Sequence, residues 1–173
     1  MALGYTGDVD ESTAAMHATL ADPAGRAAVQ AAIANQAIHF DLLGLQLGHS
    51  YTGSLVIGDG TEAPALAEPA RDYVPSSRPG GRLPHAWLPD GRSTLDLIDI
   101  RVPTVLVSDN SGSVSGEWVP AVVVACPADI WHDAFGMNND QCLVVRPDQH
   151  VAYRGAHEGV SAALQQFSAR IAN

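Results

Sequence analysis

The side chains best suited to chemistry in this 173-residue sequence gather in SSRPGGRLPHAWLPDGRSTLDL, Ser76 to Leu97, where Arg78, Arg82 and Arg92 stand near His85. A guanidinium presents a planar fork of donors that matches the two oxygens of a carboxylate, and a histidine among such groups can act as a base. The three prolines and three glycines of the stretch fix or free the backbone in turn. Such a loop is either positioned for function or pinned against another surface. A second arginine pair, Arg146 and Arg154, closes the two ends of RPDQHVAYR, which reads as a strand, a Pro-Asp turn and a second strand. Those arginines could form an anion site or pair with carboxylates such as Asp148 and Glu158.

Other constellations carry less. The seven histidines (His17, His39, His49, His85, His132, His150, His157) show no HxH or HxxxH spacing with a suitable carboxylate, so no metal site is expected. In WHDAF, His132 and Asp133 are sequence neighbours that point apart and cannot form a base and its orienting partner. SGSVSG (Ser111 to Gly116) lacks the strand-turn-helix setting of a serine nucleophile and reads as a loop. IGDGTE (Ile57 to Glu62) lacks GxGxxG and a following helix, and reads as an Asp-Gly turn. Cys126 and Cys142 are far apart with no CxxC, so buried, unpaired thiols are expected and no thiol-disulfide exchange.

The elements that must position these groups follow from pattern. STAAMHATLA (12 to 21) predicts a short helix capped by Ser12, and Asp22-Pro23 starts a second one. Along that second helix Val29, Ile33, Ala37 and Phe40 form an apolar stripe, with Gly44 as a left-handed terminator. The stretch from Tyr51 to Pro84, rich in Gly, Pro, Ser and Ala, is a connector with one short strand at Ser54 to Ile57. Strands are expected at HAWL, STLDLI, VPTVLVSD, AVVVAC, QCLVVRP and HVAYR, with a turn at Pro89-Asp90-Gly91. SGEWVPA and DIWHDAFG offer short crossover helices, and a final helix runs from about Glu158 to Ile171 carrying Val160, Leu164, Phe167 and Ile171. The unbroken apolar runs TVLVS and AVVVA suggest central strands covered on both faces. The pattern is that of an α/β, thioredoxin-like domain without CxxC: an N-terminal helical segment (1–50), a connector (51–84), and the domain itself (85–173).

Composition narrows the partners. All nine basic residues are arginine, against 19 acidic ones, and the net charge of -10 would repel phosphate backbones and anionic membranes. Nucleic acid is not an expected partner. No basic and apolar leader opens the chain and no stretch approaches about 20 apolar residues, so a soluble cytoplasmic protein is expected.

With these motifs in order, HFDLLGLQLGHSY, SLVIGDG, DYVPSSRPGGRLPHAWLPDGRSTLDL and CLVVRPDQHVAYR, the chain from about residue 36 to 155 resembles the C-terminal part of the class A flavin-dependent aromatic hydroxylases, the phenol hydroxylase and polyketide hydroxylase group. The resemblance implies a thioredoxin-like packing domain without active-site cysteines, itself non-catalytic. FAD and NAD(P)H would be held by a flavin-binding domain on the same or a separate chain. It makes Arg78, Arg82, His85, Arg146 and Arg154 candidates for docking that domain. Two departures from the family pattern are Ile98-Asp99, where an aromatic residue and glycine are common, and Asp148-Gln149, where Asp-Gly is common. Glycine tolerates positive φ and glutamine does not, so the hairpin turn is the feature most exposed to that change. An unsupported stripe on the second helix implies self-association as a two-fold dimer. A stand-alone scaffold domain, or a small enzyme built on the histidine and arginine cluster at His85, are the competing readings.

Overall fold

The computed structural model describes residues 7–112 and 121–171. It divides into two compact units, residues 1–42 and 43–173. In the first, α1 (Val9–Ala21) and α2 (Pro23–Phe40) pack on one another. The start of α1 is capped by Asp8 and not by Ser12: the Asp8 carboxylate accepts from the amides of Asp10 and Glu11 at 2.9 and 3.0 Å. Two further acids in the first turn, Asp10 and Glu11, suit the positive end of the helix. Asp22 takes the expected role before α2, accepting from Gly25 N at 2.9 Å, and Arg26 Nη1 closes α1 by donating to the Leu20 and Ala21 carbonyls. Of the stripe expected on α2, Val29 is half-buried while Ile33 and Phe40 are 66% and 80% exposed.

The second unit opens with α3 (Leu43–Leu47). Gly44 therefore does not terminate α2. It lies buried in α3, where a side chain would collide with the carbonyl oxygens of Pro69 and Asp72, so close approach and not a left-handed angle requires glycine there. The unit is built on a four-stranded mixed sheet in the order β2-β1-β3-β4. β1 (Thr104–Ser108) runs parallel to β2 (Val122–Cys126) and antiparallel to β3 (Gln141–Val145), and β4 (Val151–Ala156) pairs antiparallel with β3. With α4 (Ala128–Asp133) between β2 and β3 and α5 (Val160–Ile171) after β4, this is the thioredoxin-like α/β arrangement. SGEWVPA lies almost wholly outside the described residues, as does most of SGSVSG.

Strand alternation sends side chains to two cores. Leu106, Leu143, Val145 and Val151 meet Trp131, Phe135, Met137 and Leu83 on one face, while Val105, Val107, Val144 and Ala152 meet Val160, Ala163 and Leu164 of α5 on the other. β1 is buried throughout, as its apolar run implies. β2 is not: it is an edge strand with Val122 39% and Val123 43% exposed, so the similar run AVVVA does not mark a central strand.

Three short strands expected from sequence are absent. Ser54 to Ile57 forms a turn closed by Val56 N to Gly53 O at 3.0 Å, and only Ile57 reaches the sheet, donating to Ala152 O at 2.8 Å. HAWL contributes a single bridge, Trp87 to Ser93, across the Pro89-Asp90-Gly91 turn, where Gly91 has φ 84. STLDL forms a 3-10 turn (Thr94–Leu97) because Ser93 and Asp96 make a capping box: Leu95 N donates to Ser93 Oγ at 3.1 Å and Ser93 N to Asp96 Oδ2 at 2.8 Å. Two bonds that satisfy the backbone locally outweigh the β-propensity of an apolar run. No helix among the described residues is long and apolar enough to cross a membrane.

Candidate functional site

Three of the five residues expected to dock a partner, Arg154, Arg82 and Arg146, tie the connector to the sheet or its β3–β4 turn, and Arg78 bonds within the connector and to Ser50 just before it. Arg154, on β4, donates from Nε to Asp59 Oδ2 at 2.6 Å and from Nη1 to Ser77 Oγ at 3.2 Å, and Ser77 Oγ donates to the Phe135 carbonyl at 2.6 Å. Asp59 also accepts from the Thr61 amide and hydroxyl. Burial pushes the Asp59 carboxyl up, but the Thr61 hydrogen bonds and the Arg154 charge outweigh it and hold the group below its ordinary value. The Asp-Gly turn is thus the acidic half of a clasp, and the partner of Arg154 is Asp59 and not Glu158.

From Thr61 the network continues: the Thr61 carbonyl accepts from Arg78 Nε at 2.9 Å, and Arg78 Nη1 donates to Ser50 Oγ at 3.3 Å. Gly80 adopts φ 91, and a side chain there would strike the Tyr51 carbonyl oxygen, so both angle and space demand glycine. That close approach lets Tyr51 N reach Gly80 O at 2.9 Å and Gly80 N reach Val151 O at 2.7 Å. Val151 N to Gly81 O and Leu83 N to Gln149 O, both 2.9 Å, carry the pairing on. Residues 80–83 and Ile57 therefore occupy hydrogen-bonding positions along the outer edge of β4, which would otherwise be open.

Arg82 Nη2 donates to Gln149 Oε1 at 2.8 Å. Gln149 is the one non-glycine with positive φ among the described residues, at 66°. The Asp148-Gln149 turn thus keeps the left-handed geometry without glycine, and the side chain is held by Arg82. Arg146 pairs with Asp148 at 2.5 Å and lies 4.9 Å over the Tyr51 ring. His49 and His150 flank that ring edge-on, each 4.8 Å away. His85 is exposed and packs edge-on against Trp87 at 4.7 Å, and Trp87 is 68% exposed. His85 is the member of the docking set that faces outward, with Trp87 beside it. Sequence reasoning missed Asp59, Ser77, Tyr51 and Gln149, although the motifs SLVIGDG and HVAYR already contained both halves of the clasp.

Neither WHDAF nor the two cysteines sets a nucleophile beside a base. His132 Nδ1 lies 2.7 Å from the Met137 carbonyl, and Trp131 Nε1 donates to the Asn138 carbonyl, so WHDAF is anchored to backbone. Cys126 pairs in register with Ser108 and Cys142 with Val107 on opposite sides of β1, which puts about two strand spacings, or roughly 10 Å, between them. They also belong to the cores on opposite sheet faces, beyond the reach of a disulfide. Burial pushes each thiol up to about 12, with Asp109 and Asp129 adding to the effect at Cys126 and Glu158 at Cys142. No group of three or more His, Cys, Asp or Glu is placed to hold a metal among the described residues.

Two hollows open on the unit. One, of about 80 Å3, lies beside the connector, and a wider one of about 300 Å3 between Leu88 and Pro127 carries the carboxylates of Asp90 and Asp109. Arg92 lines the wider one too and pairs with Asp90 at 2.7 Å.

Residues 76–173 match the family described as aromatic-ring hydroxylase, C-terminal. Phenol 2-monooxygenase of Pseudomonas sp. (strain EST1001) is 32% identical over 155 residues, covering 75% of this chain and 24% of that protein. Tetracenomycin A2 monooxygenase-dioxygenase of Streptomyces glaucescens is 29% identical over 142 residues, covering 70% and 24%. Among solved structures, the flavin-dependent monooxygenase PieE in complex with FAD and substrate superposes with a TM-score of 0.65 at 29% identity, over 97% of this chain and 34% of that one. The rebeccamycin biosynthetic enzyme RebC with reduced flavin gives 0.59 at 33% identity, over 76% and 25%. The chain spans about a quarter of the length of the curated relatives it matches.

Proposed function

This chain belongs to the aromatic-ring hydroxylase C-terminal family, and from that premise we propose that it is the non-catalytic packing domain of a cytoplasmic, FAD-dependent aromatic-ring monooxygenase. The complete enzyme acts on a phenolic or polyketide substrate with NAD(P)H as reductant. Its flavin-binding domain lies on the same or a separate chain, and the assembly pairs as a homodimer through the face of α2 that carries Ile33 and Phe40. Bound FAD supplies the activation of dioxygen for ring hydroxylation. The residues of this chain hold the connector in one path, so that whatever joins residue 43 to the flavin-bearing part meets a fixed surface.

The observation that carries the reading is the clasp. Arg154, Arg146, Arg78 and Arg82 have internal partners, the use expected of a scaffold and not of a site that turns over substrate. His85 and Trp87, exposed together, are the proposed contact with the flavin-binding domain, since a partly exposed tryptophan is a common interface anchor.

The purified chain is expected to be colourless, and FAD added in excess should separate from it on gel filtration. Flavin absorbance that co-elutes in stoichiometric amount would overturn the non-catalytic assignment. Supplying the flavin-binding part should restore NAD(P)H-dependent hydroxylation, and Trp87→Ala should weaken the association by about tenfold or more, about 1.4 kcal/mol.

A further inference from the structure

The cavity of about 80 Å3 beside the connector has an apolar wall that includes Leu47 and Leu66 and a polar wall that includes Ser50, Tyr73, Arg78 and Arg82. No Asp or Glu lines it. The bond from Arg78 Nη1 to Ser50 Oγ, two groups of the same wall, sets the Arg78 head at the cavity. Arg82 and Tyr73 line the same cavity; burial raises the pKa of that tyrosine, and the Arg82 charge opposes the rise.

These two arginines differ from four others of the unit. Arg92, Arg101, Arg146 and Arg154 each have a carboxylate within 3.4 Å. Arg78 and Arg82 have none among the described residues. Their neutral partners, Thr61 O, Ser50 Oγ and Gln149 Oε1, satisfy part of each guanidinium fork and leave its charge unbalanced. A pair of partly buried cations without a counter-ion favours an anion between them. The size of the space decides its class. A water needs about 10–15 Å3 of such volume, so the cavity admits roughly five to eight waters or a molecule of about as many heavy atoms. A phosphate would turn some of its oxygens against Leu47 and Leu66, whereas a carboxylate on a short alkyl stem has an apolar end for that wall.

We propose that this cavity binds a small aliphatic monocarboxylate, its oxygens taken by Arg78, Arg82 and the Tyr73 hydroxyl and its stem lying on Leu47 and Leu66. The site does not depend on the packing-domain assignment, because every group that forms it belongs to residues 43–173.

An amide-detected NMR titration of the 173-residue chain tests it, with propionate as probe and propionamide and inorganic phosphate as comparisons. Propionate should give saturable shifts at Gly48, Ser50, Tyr73 and Gly81, propionamide none, and phosphate binding at least about tenfold weaker, the factor set by the lost apolar contact. Tyr73→Phe removes one hydroxyl and Arg82→Lys keeps the charge without the fork, so both should fold. Each should weaken propionate binding by about three- to tenfold, and Arg78→Met by more. Equal response to propionamide, phosphate binding as tight as propionate, or unchanged propionate binding in both Tyr73→Phe and Arg82→Lys would overturn the proposal.

Discussion

Arg154 and Asp59 form an ion pair between partners 95 residues apart in sequence, with about 80% of each side chain withdrawn from solvent (20% and 17% exposed). Hydrogen bonds to charged groups contribute about 1.5–3 kcal/mol, so Arg154→Met and Asp59→Asn should each cost about 2 kcal/mol, with the double variant costing less than the sum because both remove one interaction. Chemical denaturation checks this. The pH dependence has a definite sign. The folded-state pKa of Asp59 is depressed below 3.8, so the pair stabilises fully above that value and is lost as pH falls through the lower, folded-state one. Stability should therefore decline from about pH 5 towards pH 3, and Asp59→Asn should flatten part of that decline. An unchanged slope would show that Thr61 and Arg154 do not hold the carboxyl below its ordinary value.

Gln149 shows how an element can keep its geometry after losing the residue that suits it. Placing a side chain at φ 66 costs about 1 kcal/mol, and the charged hydrogen bond from Arg82 returns about 1.5 kcal/mol or more. Gln149→Gly is thus expected to destabilise slightly, by about 0.5–1 kcal/mol, yet to stabilise by about 1 kcal/mol when Arg82 is already methionine. Urea denaturation of the four proteins measures the reversal. The same balance explains what was legible beforehand. β1, β3, β4, α4 and α5 were readable because their apolar periodicity and their burial coincide. The Ser54 to Ile57 turn, HAWL and STLDL were not, because local hydrogen bonds accepted by Gly53, Ser93 and Asp96 decide them. The cap of α1 was misplaced by four residues since Asp8 and Ser12 are both competent caps and only the path of the chain chooses. The partners of Arg154 and Arg82 were not legible, because pairing across 95 or 67 residues leaves no local signal.

At the scale of the whole molecule, the proposed homodimer makes Phe40 its most direct probe, as the most exposed of the large apolar side chains described on α2. Light scattering should find a dimer that Phe40→Asp converts to monomer with its helix content intact, whereas a monomeric parent that unfolds on substitution would place Phe40 in a core. The clasp has a further consequence, which concerns time. Its bonds join residues 58 to 95 positions apart, and closing such long loops is deferred until the sheet that supplies Arg154 already exists. Contacts absent from the folding transition state govern escape from the native state and not arrival at it. Arg154→Met should therefore raise the unfolding rate by nearly the whole factor expected from its stability loss, about thirtyfold for 2 kcal/mol, and leave the refolding rate almost unchanged in stopped-flow chevrons. The connector then acts as a latch: slow to open once the sheet has formed, and silent while it forms.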